Sequence, residues 1–202
     1  RDALMSLLAK WGLSATAVRT GEEASAAMVG SGFDVVLSDW RLPGEQDGLA
    51  VLREARARLA AMMGVARDEL SFGPSTSANT FVLANAVRLW LKGKKAAIVV
   101  TNQDHEANSG VWRRLADEGI EIREWQIDPD TGHLDPADLA LLLEDGKVKL
   151  VCFPHCSNVV AEINPVAEIC AMAKAAGAFT CVDGVSYAPH GFPDMPALGA
   201  DV

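Results

Sequence analysis

Apolar residues recur at helical spacing near the start of the chain, at Leu4, Leu7, Leu8 and Trp11, and Gly12 then closes the run. The spacing predicts a helix over 3–11. Residues 14–18 are short and β-branched enough to predict a strand. Thr20, followed by Gly21, Glu22 and Glu23, predicts a second helix. The threonine would be its N-cap, and the early acids favour the helix dipole. Asp34-Val35-Val36-Leu37-Ser38-Asp39 reads as a buried strand ending in a carboxylate. A turn at Leu42-Pro43-Gly44 leads to a long helix from Gly48 to about Met63. Helices and strands in this alternation imply a parallel sheet.

Beyond Gly64 the pattern continues with longer segments. Phe72-Gly73-Pro74-Ser75 predicts a loop and 76–90 a helix. A strand follows at 96–101, a helix at 109–118 and an alternating strand at 120–127. Asp135 and Pro136 cap a helix running to about Leu143, with proline at its first position. A strand at 148–153, a helix at 165–176 and a strand at 179–183 complete the pattern. The fold class is therefore α/β, a mainly parallel sheet with helices on both faces. The character of the sequence changes inside the helix at 56–63. That places a boundary between a segment 1–60 and a segment 61–202.

Length and composition narrow the picture. The 202 residues have room for one large domain or two small ones, and 50% are hydrophobic with a mean hydropathy of +0.13. A chain so apolar is expected to fold rather than to be disordered. The net charge of −9 excludes general phosphate-backbone binding, so nucleic acid is not an expected partner. Cys152, Cys156, Cys170 and Cys181 have apolar neighbours and read as reduced thiols, not as a disulfide framework or a zinc knuckle. No leader pattern opens the chain and no run approaches 18 apolar residues, so no membrane partner is expected and the location expected is cytoplasmic. The chain starts at Arg1 already inside a helical pattern, so a natural beginning upstream is expected.

Asp39 sits where a predicted buried strand ends. Chemistry collects at that edge in open α/β sheets. A carboxylate there can be a phosphoacceptor, a metal ligand or a cap, and spacing alone favours the cap. The longer string Asp39-Trp40-Arg41-Leu42-Pro43-Gly44-Glu45-Gln46-Asp47-Gly48-Leu49 resembles the phosphoacceptor strand and turn of response-regulator receiver domains, especially those attached to hybrid histidine kinases. The resemblance covers about residues 1–58. It implies a partial flavodoxin-like segment, a phosphorelay role and Asp39 as phosphoacceptor. Such receivers hold Mg²⁺ with an acidic pair on a strand that would precede Arg1. They also use a Ser or Thr and a Lys on later strands, before which this sequence changes character. Asp39 without those partners is expected to be a poor acceptor.

Four features converge in residues 61–202. Gly73-Pro74-Ser75-Thr76-Ser77-Ala78-Asn79 is a small polar loop entering a helix, where exposed N–H groups bind phosphate. Asp104-His105-Glu106-Ala107-Asn108 follows a buried strand, and a histidine there can stack on a flat ring, act as a base or cap a helix. His155-Cys156-Ser157-Asn158 follows the next predicted buried strand. Asp183-Gly184-Val185-Ser186 ends another, with Tyr187 and His190 just after it. Each feature alone reads as a polar loop residue at a strand end.

The set in this order resembles the large domain of fold-type I enzymes that use pyridoxal 5'-phosphate (PLP), in the group of class V aminotransferases and cysteine desulfurases. The resemblance covers about residues 50–202. It implies that Thr76 and Ser77 hold the cofactor phosphate and that His105 stacks on the pyridine ring. Asn158 would contact the ring oxygen or the substrate, and Asp183 would pair with the ring nitrogen. The family often has glutamine where this chain has Ser186, a shorter donor, which points to a desulfurase-like subgroup. The implied parent activity forms an imine between PLP and an amino-acid substrate, in a homodimer. The family's Schiff-base lysine lies about two dozen residues after the aspartate, whereas the last lysine here is Lys174. The expectation is an incomplete PLP domain that is inactive by itself, with a signalling module phosphorylated at Asp39, or a fusion fragment without function, as the alternatives.

Overall fold

The computed structural model describes residues 2–10, 13–29 and 48–202, which form two compact units. The first comprises the described residues up to Ala61 together with Ala66–Leu70. Its helices are α1 (Asp2–Lys10), α2 (Gly21–Met28) and α3 (Gly48–Met63). Thr20 caps α2 as predicted, its hydroxyl accepting from the Glu23 N–H at 3.1 Å. On α3, Glu54 accepts from Ser25 and from Arg58, the latter at 2.5 Å. The Ser25 hydrogen bond leads the causes that hold Glu54 below the usual carboxylate range. Residues 14–18, expected as a strand, are irregular. A strand needs a hydrogen-bonded neighbour, and none is present among the described residues of this unit. The strand expected at 34–39, with Asp39 and the Mg²⁺ site it would serve, lies outside the described residues.

The second unit holds a four-stranded parallel sheet in the order β2-β1-β3-β4. Its strands are β1 (Ala97–Thr101), β2 (Glu121–Trp125), β3 (Val148–Pro154) and β4 (Phe179–Asp183). All five residues of β1 are buried, as expected for a strand covered on both faces. Alternate residues feed separate cores. Ala97 and Val99 pack with Val151 and Phe153 against α6 (Pro136–Leu143) and α7 (Val166–Ala175). Ile98 and Val100 pack with Leu150 and Cys152 against α4 (Thr76–Leu91) and α5 (Glu106–Arg113). The β1–β3 register shifts between Ala97, opposite Val148, and Ile98, opposite Leu150. The extra residue, Lys149, lets Val148 and Leu150 face different cores although they are two apart.

Two predicted elements change shape. The helix expected to start at Ser109 starts at Glu106, because His105 supplies the cap. It tightens to a 3₁₀ turn at Arg114–Glu118 and ends at Gly119, whose φ of +81° suits glycine. The strand expected over 120–127 is confined to Glu121–Trp125. Val202 lies beside β4, donating its N–H to Thr180 (3.1 Å) and accepting from Val182 (2.8 Å), the pattern of a parallel neighbour. Among the described residues, no helix is long and apolar enough to cross a membrane.

Candidate functional site

The carboxyl ends of β1, β3 and β4 lie side by side, with Pro154 in register with Asp183. The polar segments after these strands therefore share one edge of the sheet. The His155 N–H donates to the Asp183 carbonyl at 2.9 Å and fixes the exit of β3 to that of β4. A buried side chain fastens the β1 exit to them. Gln103 is 0% exposed; its amide donates to the Gly132 carbonyl at 3.0 Å and accepts from Asn164 Nδ2 at 2.7 Å. The main-chain carbonyl of Gln103 accepts from the Ser157 hydroxyl at 2.7 Å. Ser157 Oγ in turn accepts from the Val159 and Val160 N–H groups (3.1 and 3.2 Å), shaping the turn that carries Asn158. Asn158 itself is exposed on that turn. Gln103, Ser157 and Asn164 were not singled out from sequence for this role. Their only local signal is a run of polar residues straight after buried strands.

His105 caps α5, its Nδ1 accepting from the Ala107 N–H at 3.0 Å. That bond requires Nδ1 to be unprotonated and leaves the exposed imidazole ring anchored along one edge. Asp104, immediately before it, accepts from the Thr101 hydroxyl (2.7 Å) and from Asn108 Nδ2 (3.0 Å). Asn108 Oδ1 is held by the indole N–H of the fully buried Trp112 at 3.3 Å. Burial pushes the Asp104 carboxyl up to about 6, the two hydrogen bonds pull against that rise, and the nearby Asp183 charge adds to it.

Asp183 is half-buried, and its Oδ1 accepts from the Val185 N–H at 2.9 Å. Ser186, also half-buried, lies in the turn that follows. Tyr187 stacks on His155 with ring centroids 3.6 Å apart and planes inclined by 13°. His155 is 7% exposed, and burial lowers its pKa, favouring the neutral ring in that stack.

The loop before α4 closes the set. Ser75 is the N-cap, accepting from the Ala78 N–H at 3.2 Å, with Thr76 half-buried and Ser77 exposed in the first turn. The Thr80 hydroxyl lies 2.9 Å from the Ala107 carbonyl and ties the start of α4 to the turn carrying His105. A Cβ on Gly73 would sit 1.6 Å from Asn79 Oδ1, so glycine is what lets the Asn79 side chain fold back over the loop. The four cysteines are free thiols; Cys152, Cys170 and Cys181 are buried and Cys156 is half-buried.

These contacts join the Thr76–Ser77 turn to His105, and His155 to Asp183, while Asn158 and Ser186 stand on adjoining turns of the same edge. The donor set suits a flat anionic cofactor such as PLP. A helix N-terminus with hydroxyls offers donors for a phosphate, a carboxylate at a strand end suits a protonated ring nitrogen, and an edge-anchored imidazole offers a face.

Residues 45–202 match the family model described as Aminotransferase class-V. A cysteine desulfurase of Yersinia pseudotuberculosis serotype O:1b (strain IP 31758) is 36% identical over 135 residues, which are 66% of this chain and 33% of the relative. One of Serratia proteamaculans (strain 568) is 34% identical over 152 residues, 74% of this chain and 37% of the relative. The chain thus spans about a third of the length of these curated relatives. Among solved structures, the apo cysteine desulfurase of Thermococcus onnurineus NA1 superposes with a TM-score of 0.66 at 27% identity, over 78% of this chain and 40% of that one. The Escherichia coli cysteine desulfurase CsdA has the same TM-score at 20% identity, over 90% of this chain and 45% of that one. At that identity the likeness is one of fold.

Proposed function

The chain belongs to the class-V aminotransferase family, and from that premise we propose that residues 61–202 form the cofactor-holding part of a PLP-dependent, cysteine desulfurase-like domain whose substrate is an amino acid. The observation that carries this reading is the meeting, at one sheet edge, of the Asp183 carboxylate, the His105 turn and the capped start of α4. The N–H groups and hydroxyls of Thr76 and Ser77 bind the phosphate, with the positive end of the 16-residue α4 behind them. His105 covers one face of the ring. Asp183, its plane set by the Val185 N–H, holds a proton on the ring nitrogen by charge. Asn158 and Ser186 donate to the ring oxygen or to the substrate from the two flanking turns. When bound, PLP supplies an electron sink for carbanion chemistry at an amino acid.

No lysine follows Lys174 in these residues, and Lys174 lies on α7, before β4. The residues named above bind, orient and charge-match the cofactor, and none of them is a lysine that links to it. The holding residues work fully in a homodimer, as the family resemblance implies.

Titration of the 202-residue chain with PLP, followed by absorbance and by quenching of tryptophan fluorescence, tests the reading. Saturable binding is expected, weakened at least tenfold by Asp183→Asn. No binding, or binding that Asp183→Asn leaves unchanged, would overturn it. A second reading rests on the Asp39–Leu49 string, in which Asp39 is a phosphoacceptor for residues 1–60. Acetyl phosphate with Mg²⁺ would then add one phosphate, and Asp39→Asn would abolish it.

A further inference from the structure

We propose that Asp104 is a positioning residue of the cofactor site, whose half-buried carboxylate clamps the turn between β1 and α5 and so fixes the His105 ring for stacking. The inference rests on the PLP reading above and assigns a role to a group that reading does not use. Both carboxylate oxygens are engaged, Oδ2 by the Thr101 hydroxyl at the end of β1 and Oδ1 by Asn108 in the first turn of α5. His105 lies within the span they close. Capping does not explain Asp104, because His105 Nδ1 already accepts from the helix N-terminus. Thr101 is 0% exposed and Asn108 1% exposed, so the clamp is anchored on buried groups at both ends, with Trp112 behind Asn108.

An amide would fill the same space without the cost of burying an ionisable group. The carboxylate accepts two hydrogen bonds at once, which an asparagine side chain in the same pose cannot do with its amide nitrogen. The groups that face Asp104 from neighbouring elements are Cys152 on β3 and Asp183 on β4; the Asp183 charge acts against its ionised form, while Cys152 is a neutral thiol that the Asp104 charge helps to keep protonated. On α5, Arg113 donates to the Thr101 carbonyl at 3.0 Å and is the nearby cation of that turn. A positive ring nitrogen paired with Asp183 offsets the repulsion between the two acids. Cofactor binding and ionisation of Asp104 therefore favour each other, and by linkage the effect is reciprocal.

The test compares the full chain with its Asp104→Asn and Thr101→Val variants. PLP affinity is measured from pH 5 to 8 and taken as the ratio of wild type to variant, so that the cofactor's own ionisations cancel. Asp104→Asn is expected to bind about tenfold more weakly at pH 7.5, with the ratio shrinking toward one as pH falls through about 6. Thr101→Val, which keeps the carboxylate but removes the hydroxyl that donates to it and that accepts from the Gln103 N–H at 3.3 Å, is expected to fall between the two. A ratio that stays flat with pH, or a Thr101→Val affinity equal to wild type, overturns the proposal. Amide exchange of the cofactor-free proteins gives a second readout. The Ala107 N–H should exchange at least tenfold faster in Asp104→Asn, with the β1 amides unchanged, and equal rates overturn the clamp. If the wild-type chain binds no PLP, the cofactor reading fails, and this exchange comparison still decides whether Asp104 holds the turn.

Discussion

Replacing Gln103 by leucine would remove the buried amide that joins the β1 exit to two other loops. Leucine has nearly the same volume, so packing changes little and the loss is one of hydrogen bonding. Two groups lose their partner: Asn164 Nδ2, which retains only the Pro154 carbonyl at 2.8 Å, and the Gly132 carbonyl. An orphaned buried polar group costs about 1–3 kcal/mol. Asn164 is 5% exposed and bears the full cost, whereas Gly132 is half-buried and recovers part of its own from water. Net destabilisation of about 2–3 kcal/mol is expected, after a small apolar gain from the leucine. Urea unfolding followed by tryptophan fluorescence measures it, because Trp112 and Trp125 are both fully buried in this unit. The companion variant Asn164→Leu should cost about as much. The double variant should cost about 1–2 kcal/mol less than the sum, since removing both partners leaves fewer orphans. A single-variant loss below about 0.5 kcal/mol, or strict additivity, would refute the claim that Gln103 fastens the loops together.

The pH dependence of stability isolates Asp104 in a second way. An aspartate titrates near 3.9 in an unfolded chain, and near 6 in this fold. Between those values the unfolded chain has released its proton and the native one keeps it, so this group's contribution falls as pH rises and levels off above 6. The loss amounts to about 3 kcal/mol. Asp104→Asn lacks it, so its stability relative to wild type should climb between pH 4 and 6 and then hold constant. A difference that is flat across that window in urea melts would contradict the assigned burial. Thiol labelling gives another check. Burial raises the Cys152 and Cys170 thiols above their ordinary range, and thiolate is the reacting form. An aromatic disulfide reagent should modify Cys156 first, with the other three cysteines reacting only on unfolding. Fast release of more than one equivalent from the native chain would argue against the packing of β3 and β4.

What the sequence revealed depended on how local the determining physics is. The strands β1, β3 and β4 were legible because each is a short β-branched run between turn signals, and α4 and α6 because their caps are written beside them as Ser75 and Asp135. The start of α5 was missed because its cap is a histidine, a residue whose capping depends on the ring nitrogen meeting the Ala107 N–H. Residues 14–18 have strand composition but no neighbour to pair with among the described residues, and pairing is a property of the sheet, not of the segment. The same division runs through the site. Thr76, Ser77, His105, Asn158, Asp183 and Ser186 are candidates only through the family resemblance, carried by motifs that each follow a strand or open a helix. Gln103 and Asp104 could not be named for their roles, because their partners lie elsewhere in the fold. Gln103 meets Asn164 61 positions away. Asp104 feels Asp183 only because β3 brings the ends of β1 and β4 to one edge. The motifs therefore supply the groups proposed to touch a ligand, while the groups that hold the turns carrying them become visible only once the sheet is assembled. That is why the variants most informative about this chain are Gln103→Leu and Asp104→Asn: each leaves every proposed cofactor contact in place and perturbs only how those residues are held.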